Sequence, residues 1–276
     1  MPRASAEPLA ASAEPGWVGR LVSAVYKTGV IAELEVRKLR HDPTELVTRA
    51  VQPALWLLIF GEVFSRIRAI PTGGVPYLDF MAPGILAQSV LFIAIFSGIA
   101  LIWERDLGVI HKLFVSPTPR VALIVGKAVA AGVRSLSQVV IIYALSAILG
   151  VSLRWDPVAL AGVLLAVLLG AACFATLSLI IASLVRTRER FMGIGQLMTM
   201  PLFFASNAIY PIAIMPRWLQ VLARANPLSY EVDLLRALMI PSGQSAFGIG
   251  ADFGVLLACT VLLVSVAAEV YPRVVQ

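Results

Sequence analysis

The sequence predicts an all-α integral membrane fold with six transmembrane helices and an N-terminal amphipathic helix lying in the membrane interface. Three observations predict it. Of 276 residues, 59% are hydrophobic and only 14% are charged, whereas soluble domains carry about 25% charged residues. The mean hydropathy is +0.88. The apolar residues also fall in blocks that reach the roughly 20 residues needed to cross a bilayer.

Taken in order, residues 1–16, MPRASAEPLAASAEPG, form a tail rich in Ala, Pro, Ser and Glu, a composition that stays disordered. No short apolar stretch follows a basic start there, so no cleavable signal peptide is expected. Residues 17–45 place Val18, Leu21, Val22, Val25, Ala32, Val36 and Leu39 near a helical stripe. Arg20, Lys27, Glu33, Arg37 and Arg40 lie off that stripe, as in a basic helix held in the headgroup plane.

The membrane-spanning domain is expected over residues 46–272. Its first span is Leu46 to Phe64, with Arg49 and Gln52 near the start, able to reach the interface. The loop RIRAIPTGGVPYLD ends it with turn-forming Pro and Gly. The second span runs from Phe80 to Trp103, with Pro83 in the first turn, where a missing N–H does little harm. After the polar break ERDLGVIHKLFVSPTPR, residues 121–151 form one long helix. The fourth span is Val158 to Val185, followed by the tight basic loop RTRER. The fifth, Phe191 to Tyr210, contains Pro201 and is expected to kink or break. Residues 211–250 are only moderately apolar and rich in helix breakers. The last span is Ala251 to Val270.

Basic residues orient this scheme. With the N-terminus in the cytoplasm, 14 of the 22 Lys and Arg residues fall inside and six outside, with Lys127 and Arg134 within the third helix. That excess puts both termini on the cytoplasmic side. The net charge of +6 has the same origin; no basic stripe with interleaved aromatics suggests nucleic acid. Cys173 and Cys259 lie in apolar spans without paired spacing and read as small core hydrophobes. No internal repeat of the secondary-transporter kind is visible.

Catalytic patterns fail on inspection. His41 and His111 are the only histidines, and neither belongs to an HExxH motif, so a zinc peptidase is not expected. Residues 243–247, GQSAF, miss the last glycine of a nucleophile elbow. Gly126 and Lys127 resemble the end of a phosphate loop, but Val121 occupies the place of its first glycine and Ala128 that of its Ser or Thr. Glu62, Asp252 and Glu269 lie near span ends, where water is expected to reach them. Lys127 and Arg134 have two readings: an intramembrane substrate or proton path, or side chains of a helix extended into the cytoplasm. Apart from these, no charge is expected deep in a span.

The segment after the second span carries the most information. Glu104, Arg105 and Asp106 precede Leu107, Val109, Ile110, Leu113 and Phe114, and Ser116 with Pro117 closes the run. A short amphipathic helix of this kind can dock in a partner's groove or simply lie on the bilayer, and periodicity does not choose between the two. The run resembles the coupling segment of type-2 ABC exporter permeases, matching their pattern at Glu104, Arg105, Asp106, Gly108, Leu113, Ser116 and Pro117. Ile110 replaces a usual Leu, and His111 a frequent acidic residue. A second stretch, beginning at Pro201, resembles the same family's fifth helix and outer re-entrant hairpin. It matches at Pro211, Met215, Pro216, Trp218, Leu219, Asn226, Pro227, Tyr230, Asp233 and Arg236, while Asn207 departs from the usual small residue. The residues themselves allow either a hairpin dipping into the outer leaflet or a surface loop with two short helices. The nearest branch is the daunorubicin-resistance and nodulation-export type.

The resemblance covers about residues 20–272 and implies a permease of an ATP-driven exporter in the bacterial cytoplasmic membrane, not an enzyme in its own right. It implies a second permease copy, identical or related, and two separate ATP-binding subunits. ATP and magnesium would reside on those subunits, and the chain itself would hold no cofactor and no metal. The loop 104–117 would dock on the ATPase, with the RTRER turn in support. A lipophilic or amphipathic cargo, such as a drug, a lipid or a lipid-linked glycan, suits apolar spans, with Trp56, Phe92 and Phe203 as candidate lining or lipid-facing residues. Two alternatives stay open: a carrier driven by an ion gradient, and a non-transporting membrane assembly protein.

Overall fold

The computed structural model describes residue 48 and residues 51–67, 70–107 and 120–271. The tail 1–16, the interfacial helix 17–45 and the coupling residues Gly108, Leu113, Ser116 and Pro117 lie outside the described residues.

All the regular elements among the described residues are helical. Residues 51–67 form α1, with a π-helical stretch at Trp56–Gly61 and a final turn at Glu62–Ile67. Then come α2 (Tyr77–Ser97), α3 (Ile99–Asp106), α4 (Arg120–Ile148) and α5 (Pro157–Leu184). The chain continues through α6 (Arg188–Phe204), a 3₁₀ turn at Ile212–Ile214, α7 (Arg217–Ala225), α8 (Pro227–Met239) and α9 (Ile249–Val270). Among the described residues, four segments are long and apolar enough to cross a membrane: Tyr77–Asp106, Leu123–Ile148, Pro157–Leu184 and Ile249–Val270. The expected first and fifth spans correspond to α1 and to α6, which has only 17 residues.

α5 is the hub, touching α2, α3, α4, α6, α8 and α9. Its sequence explains both its start and its position. Asp156 caps the helix by accepting from the Ala159 N–H at 3.0 Å, and Pro157 occupies the first turn, where it needs no N–H partner. Small residues along α5 let neighbours approach closely, as is usual where lipid supplies no hydrophobic drive between helices. Gly162 lies against Leu238 and Gly170 against Glu231.

The second expected span is two helices meeting at Gly98. The Ser178 hydroxyl of α5 reaches this junction, accepting from the Gly98 N–H at 3.1 Å and donating to the Ile95 carbonyl. A Cβ at Gly98 would collide with Ser178 and with the Phe191 ring, so the glycine is what lets α5 and α6 close on the junction. α3 is thus aimed by two neighbours.

α6 ends at Phe204, three residues past Pro201. Asn226 closes that end by donating its side-chain amide to the carbonyls of Leu202 (2.7 Å) and Ala205 (3.3 Å). Its Oδ1 caps α8 through the Leu228 N–H at 3.0 Å. One side chain therefore terminates one helix and starts another. α8 is the buried arm of the α7–α8 pair, packed on α2, α5 and α9. α7 is open, with Trp218, Val221 and Leu222 exposed.

One expectation is corrected. Asp252, expected to be wetted, is fully buried and accepts from the Ser245 hydroxyl at 2.8 Å, because residues 245–248 fold over the start of α9. Cys173 and Cys259, expected to be small core hydrophobes and not a disulfide, are free cysteines that lie beside each other where α5 meets α9.

Candidate functional site

Glu104, Arg105 and Asp106 occupy the last turn of α3, and each binds a different neighbour. Glu104 takes the Lys127 ammonium of α4 on both oxygens, at 2.7 and 2.6 Å. Arg105 donates to the carbonyls of Val185 (3.0 Å) and Arg186, past the end of α5. Val185 and Arg186 lie in the link between α5 and α6, outside both helices, and a guanidinium placed at that end of α5 also complements the helix dipole. Asp106 accepts from Arg188 of α6 at 2.8 Å. The Arg188 guanidinium in turn lies 3.4 Å from the centre of the Trp103 ring, a cation–π contact.

The RTRER turn thus contributes specific contacts: Thr187 caps α6 through the Arg190 N–H, Arg186 offers its carbonyl and Arg188 offers its charge. Beneath the charges lies a small apolar cluster of Leu101, Ile102, Ile124, Leu179, Phe191 and Ala267. Tyr271, just past α9, belongs to this cluster. Burial pushes its phenol up to about 12, and the nearby Glu104 carboxylate adds to the shift. Three consecutive charged residues therefore tie α3 to α4, α5 and α6 in one clasp, and the apolar cluster beneath it adds the end of α9. The chain leaves this clasp directly into the segment 107–119.

The clasp also bears on the two cations of the third helix. Lys127 points to Glu104 at this end of the bundle. Arg134 is half-buried further along α4 and has partners of its own.

The second group of residues gathers at α7 and α8. Pro211 precedes the 3₁₀ turn and Pro216 caps α7, each in extended backbone that leads into a helical turn. Pro227 follows Asn226 into α8. Tyr230 donates to the Arg224 carbonyl at 2.7 Å and packs its ring on Phe247. Asp233 accepts from the N–H groups of Ala246 (2.7 Å) and Phe247 (3.1 Å), tying α8 to the loop before α9. Arg236 donates to the carbonyls of Phe80 and Asn207, at 3.4 and 2.7 Å, and lies over the Phe80 ring. Asn207 contributes that carbonyl, which any residue could supply. Trp218 is exposed. The structure brings Asn226, Tyr230, Asp233 and Arg236 into one frame around α8.

Of the candidate lining aromatics, Trp56 stacks on Phe60 and meets Phe203 edge-on, joining α1 to α6. Phe92 stacks on Phe96 along α2. Among the described residues no cluster of three or more His, Cys, Asp or Glu could hold a metal ion.

Residues 26–240 match the family model described as ABC-2 type transporter. The chain belongs to the ABC-2 type transporter family. It is similar to a daunorubicin resistance ABC transporter permease protein of Streptomyces coeruleorubidus, with 25% identity over 85% of this chain and 80% of that one. It is 30% identical to the ycf38 protein of Cyanophora paradoxa, named a transport permease, over 73% of this chain and 70% of the relative. Nodulation protein J of Rhizobium leguminosarum bv. trifolii is 27% identical over 71% and 74% of the two chains. With its long apolar helices, this ABC-2 family member is a multi-pass membrane protein of the transport-permease type.

Proposed function

We propose that the chain is the membrane permease of an ATP-driven exporter, with ATP hydrolysed by a separate subunit docked on residues 104–117. The observation that carries this reading is the clasp: Glu104, Arg105 and Asp106 tie α3 to α4, α5 and α6 at the residues that open the docking segment. A push on that segment would therefore be shared among α3, α4, α5 and α6 at once. The chemistry required is differential affinity, in which nucleotide on the partner favours one arrangement of these helices over another.

In this reading α1 and α6 complete six spans, and both termini and the clasp face the cytoplasm. α7 and α8 form a re-entrant hairpin at the opposite face. Asn226, Asp233 and Arg236 hold α8 in place, while the prolines and Trp218 shape the exposed arm. The working unit is two permeases, identical or related, with two ATPases in the bacterial cytoplasmic membrane. ATP and magnesium sit on the partner, leaving this chain without a cofactor. The cargo is a lipophilic or amphipathic compound, a class supported by the apolar spans and by a relative named for resistance to daunorubicin.

The test is coupling. Glu104→Gln, Lys127→Met and Gly108→Trp are each expected to leave membrane insertion intact while separating ATP hydrolysis from export. Export and ATPase activity unchanged in all three would remove the clasp and its segment from the mechanism.

A further inference from the structure

α8 carries a carboxyl that none of these contacts uses. Glu231 is fully buried, and neither Oε1 nor Oε2 has a hydrogen-bond partner. It lies against Gly170, the 14th of the 28 residues of α5, and a Cβ at that glycine would overlap the carboxyl carbon and both oxygens. At about 1.5 Å per residue this contact is roughly 20 Å along α5, well inside a hydrocarbon layer about 30 Å thick.

Among the described residues, the surrounding groups offer no counter-charge. From α5 and α9 come the Cys173–Cys259 thiol pair, with Thr260 beside it. On α8 itself, Tyr230 donates to Arg224, Asp233 is committed to residues 245–247, and Arg236 is committed to Phe80 and Asn207. The titratable groups of α2 are Tyr77, which donates to the Ile209 carbonyl, and Asp79, which is bonded to Ser152. Asp252 of α9 is engaged by Ser245.

Burying an ionised carboxylate with neither a cation nor a donor costs far more than burying the same group as a neutral acid. The carboxyl lies flush on the α5 backbone, so the site suits a proton and not a metal ion or an organic cation. We propose that Glu231 is an intramembrane proton-binding site whose occupancy is linked to the packing of α8 on α5. With the helices together, the carboxyl keeps its proton. When they separate, water enters, the O–H bond breaks, and the proton leaves to solvent as the carboxylate forms. The packed arrangement binds more protons, so low pH favours it and rising pH favours separation. This inference rests on the packing around Gly170 and is independent of the ATPase partner.

Infrared spectroscopy of the purified permease in lipid tests it, from pH 5 to pH 9. The expected wild-type spectrum at pH 7 contains a protonated-carboxyl carbonyl band, absent in Glu231→Gln, that fades as the pH is raised. Gly170→Ala, which wedges α8 away from α5, moves that fading to lower pH by about one unit or more. The thermal midpoint of the wild type falls as pH rises through this range, while that of Glu231→Gln stays level. A carboxylate at position 231 at pH 7, or the same pH profile in wild type and Glu231→Gln, overturns the site. If Glu231→Gln does not accumulate, the wild-type band and Gly170→Ala decide. A band that titrates identically in the two overturns the linkage.

Discussion

The two ends of α5 are held by different physics. Near Leu184 the neighbours are charged: Glu104 with Lys127, Asp106 with Arg188, and Arg105 with backbone carbonyls. These groups are about a fifth to two fifths exposed, so water screens them and each bond is individually weak. Along the other half, α8 is fitted against α5, α2 and α9 by glycines, a shared cap and buried side chains. A contact made of screened charges exchanges partners at little cost, whereas close packing is bistable, either seated or broken. The clasp therefore suits a part that receives a push, and the α8 interface suits a part that switches.

Substitutions sharpen this contrast. The largest effect is expected at Gly84, where a Cβ would meet the backbone of Ala208 and no side chain can yield. Gly84→Val should cost about 3 kcal/mol, read as loss of folded permease in a thermal-stability assay. Asn226→Ala removes the α8 cap and leaves the carbonyls of Leu202 and Ala205 without donors. A loss of about 2 kcal/mol is expected, checked by denaturation in detergent, and Asn226→Asp should recover only the cap. At the clasp, a double-mutant cycle on Glu104 and Lys127 should give a coupling of about 1 kcal/mol that weakens in high salt. A coupling insensitive to salt would mean that the clasp is packed like the α8 end. The smallest effect is expected at the exposed Arg66–Glu62 pair, where Arg66→Ala should change stability by less than about 0.5 kcal/mol.

Much of this frame is legible in the sequence. The blocks behind α2, α4, α5 and α9 are apolar enough to read directly, and Asp156–Pro157 and Asn226–Pro227 announce helix starts. The Glu104-Arg105-Asp106 run is legible as a motif, but its partners are not, since pairing Lys127 or Arg188 with it depends on how far α4 and α6 extend. The same lack of register hides the meeting of Cys173 with Cys259. The burial of Asp252 is not legible because its shelter comes from a loop folding over the helix start, which hydropathy does not encode. Glu231 does not stand out because α8 is only 13 residues long and moderately apolar. A signal existed: Leu228, Val232, Leu235 and Met239 form a stripe at helical spacing, and Glu231 falls beside it.

The most direct test of the permease assignment is gentle extraction of the tagged chain, with mass spectrometry and an ATPase assay on what accompanies it. The account predicts a P-loop ATPase at about one copy per permease, lost when Gly108 is replaced by Trp while the permease itself remains folded. A permease recovered alone that still moves solute on an ion gradient would contradict it.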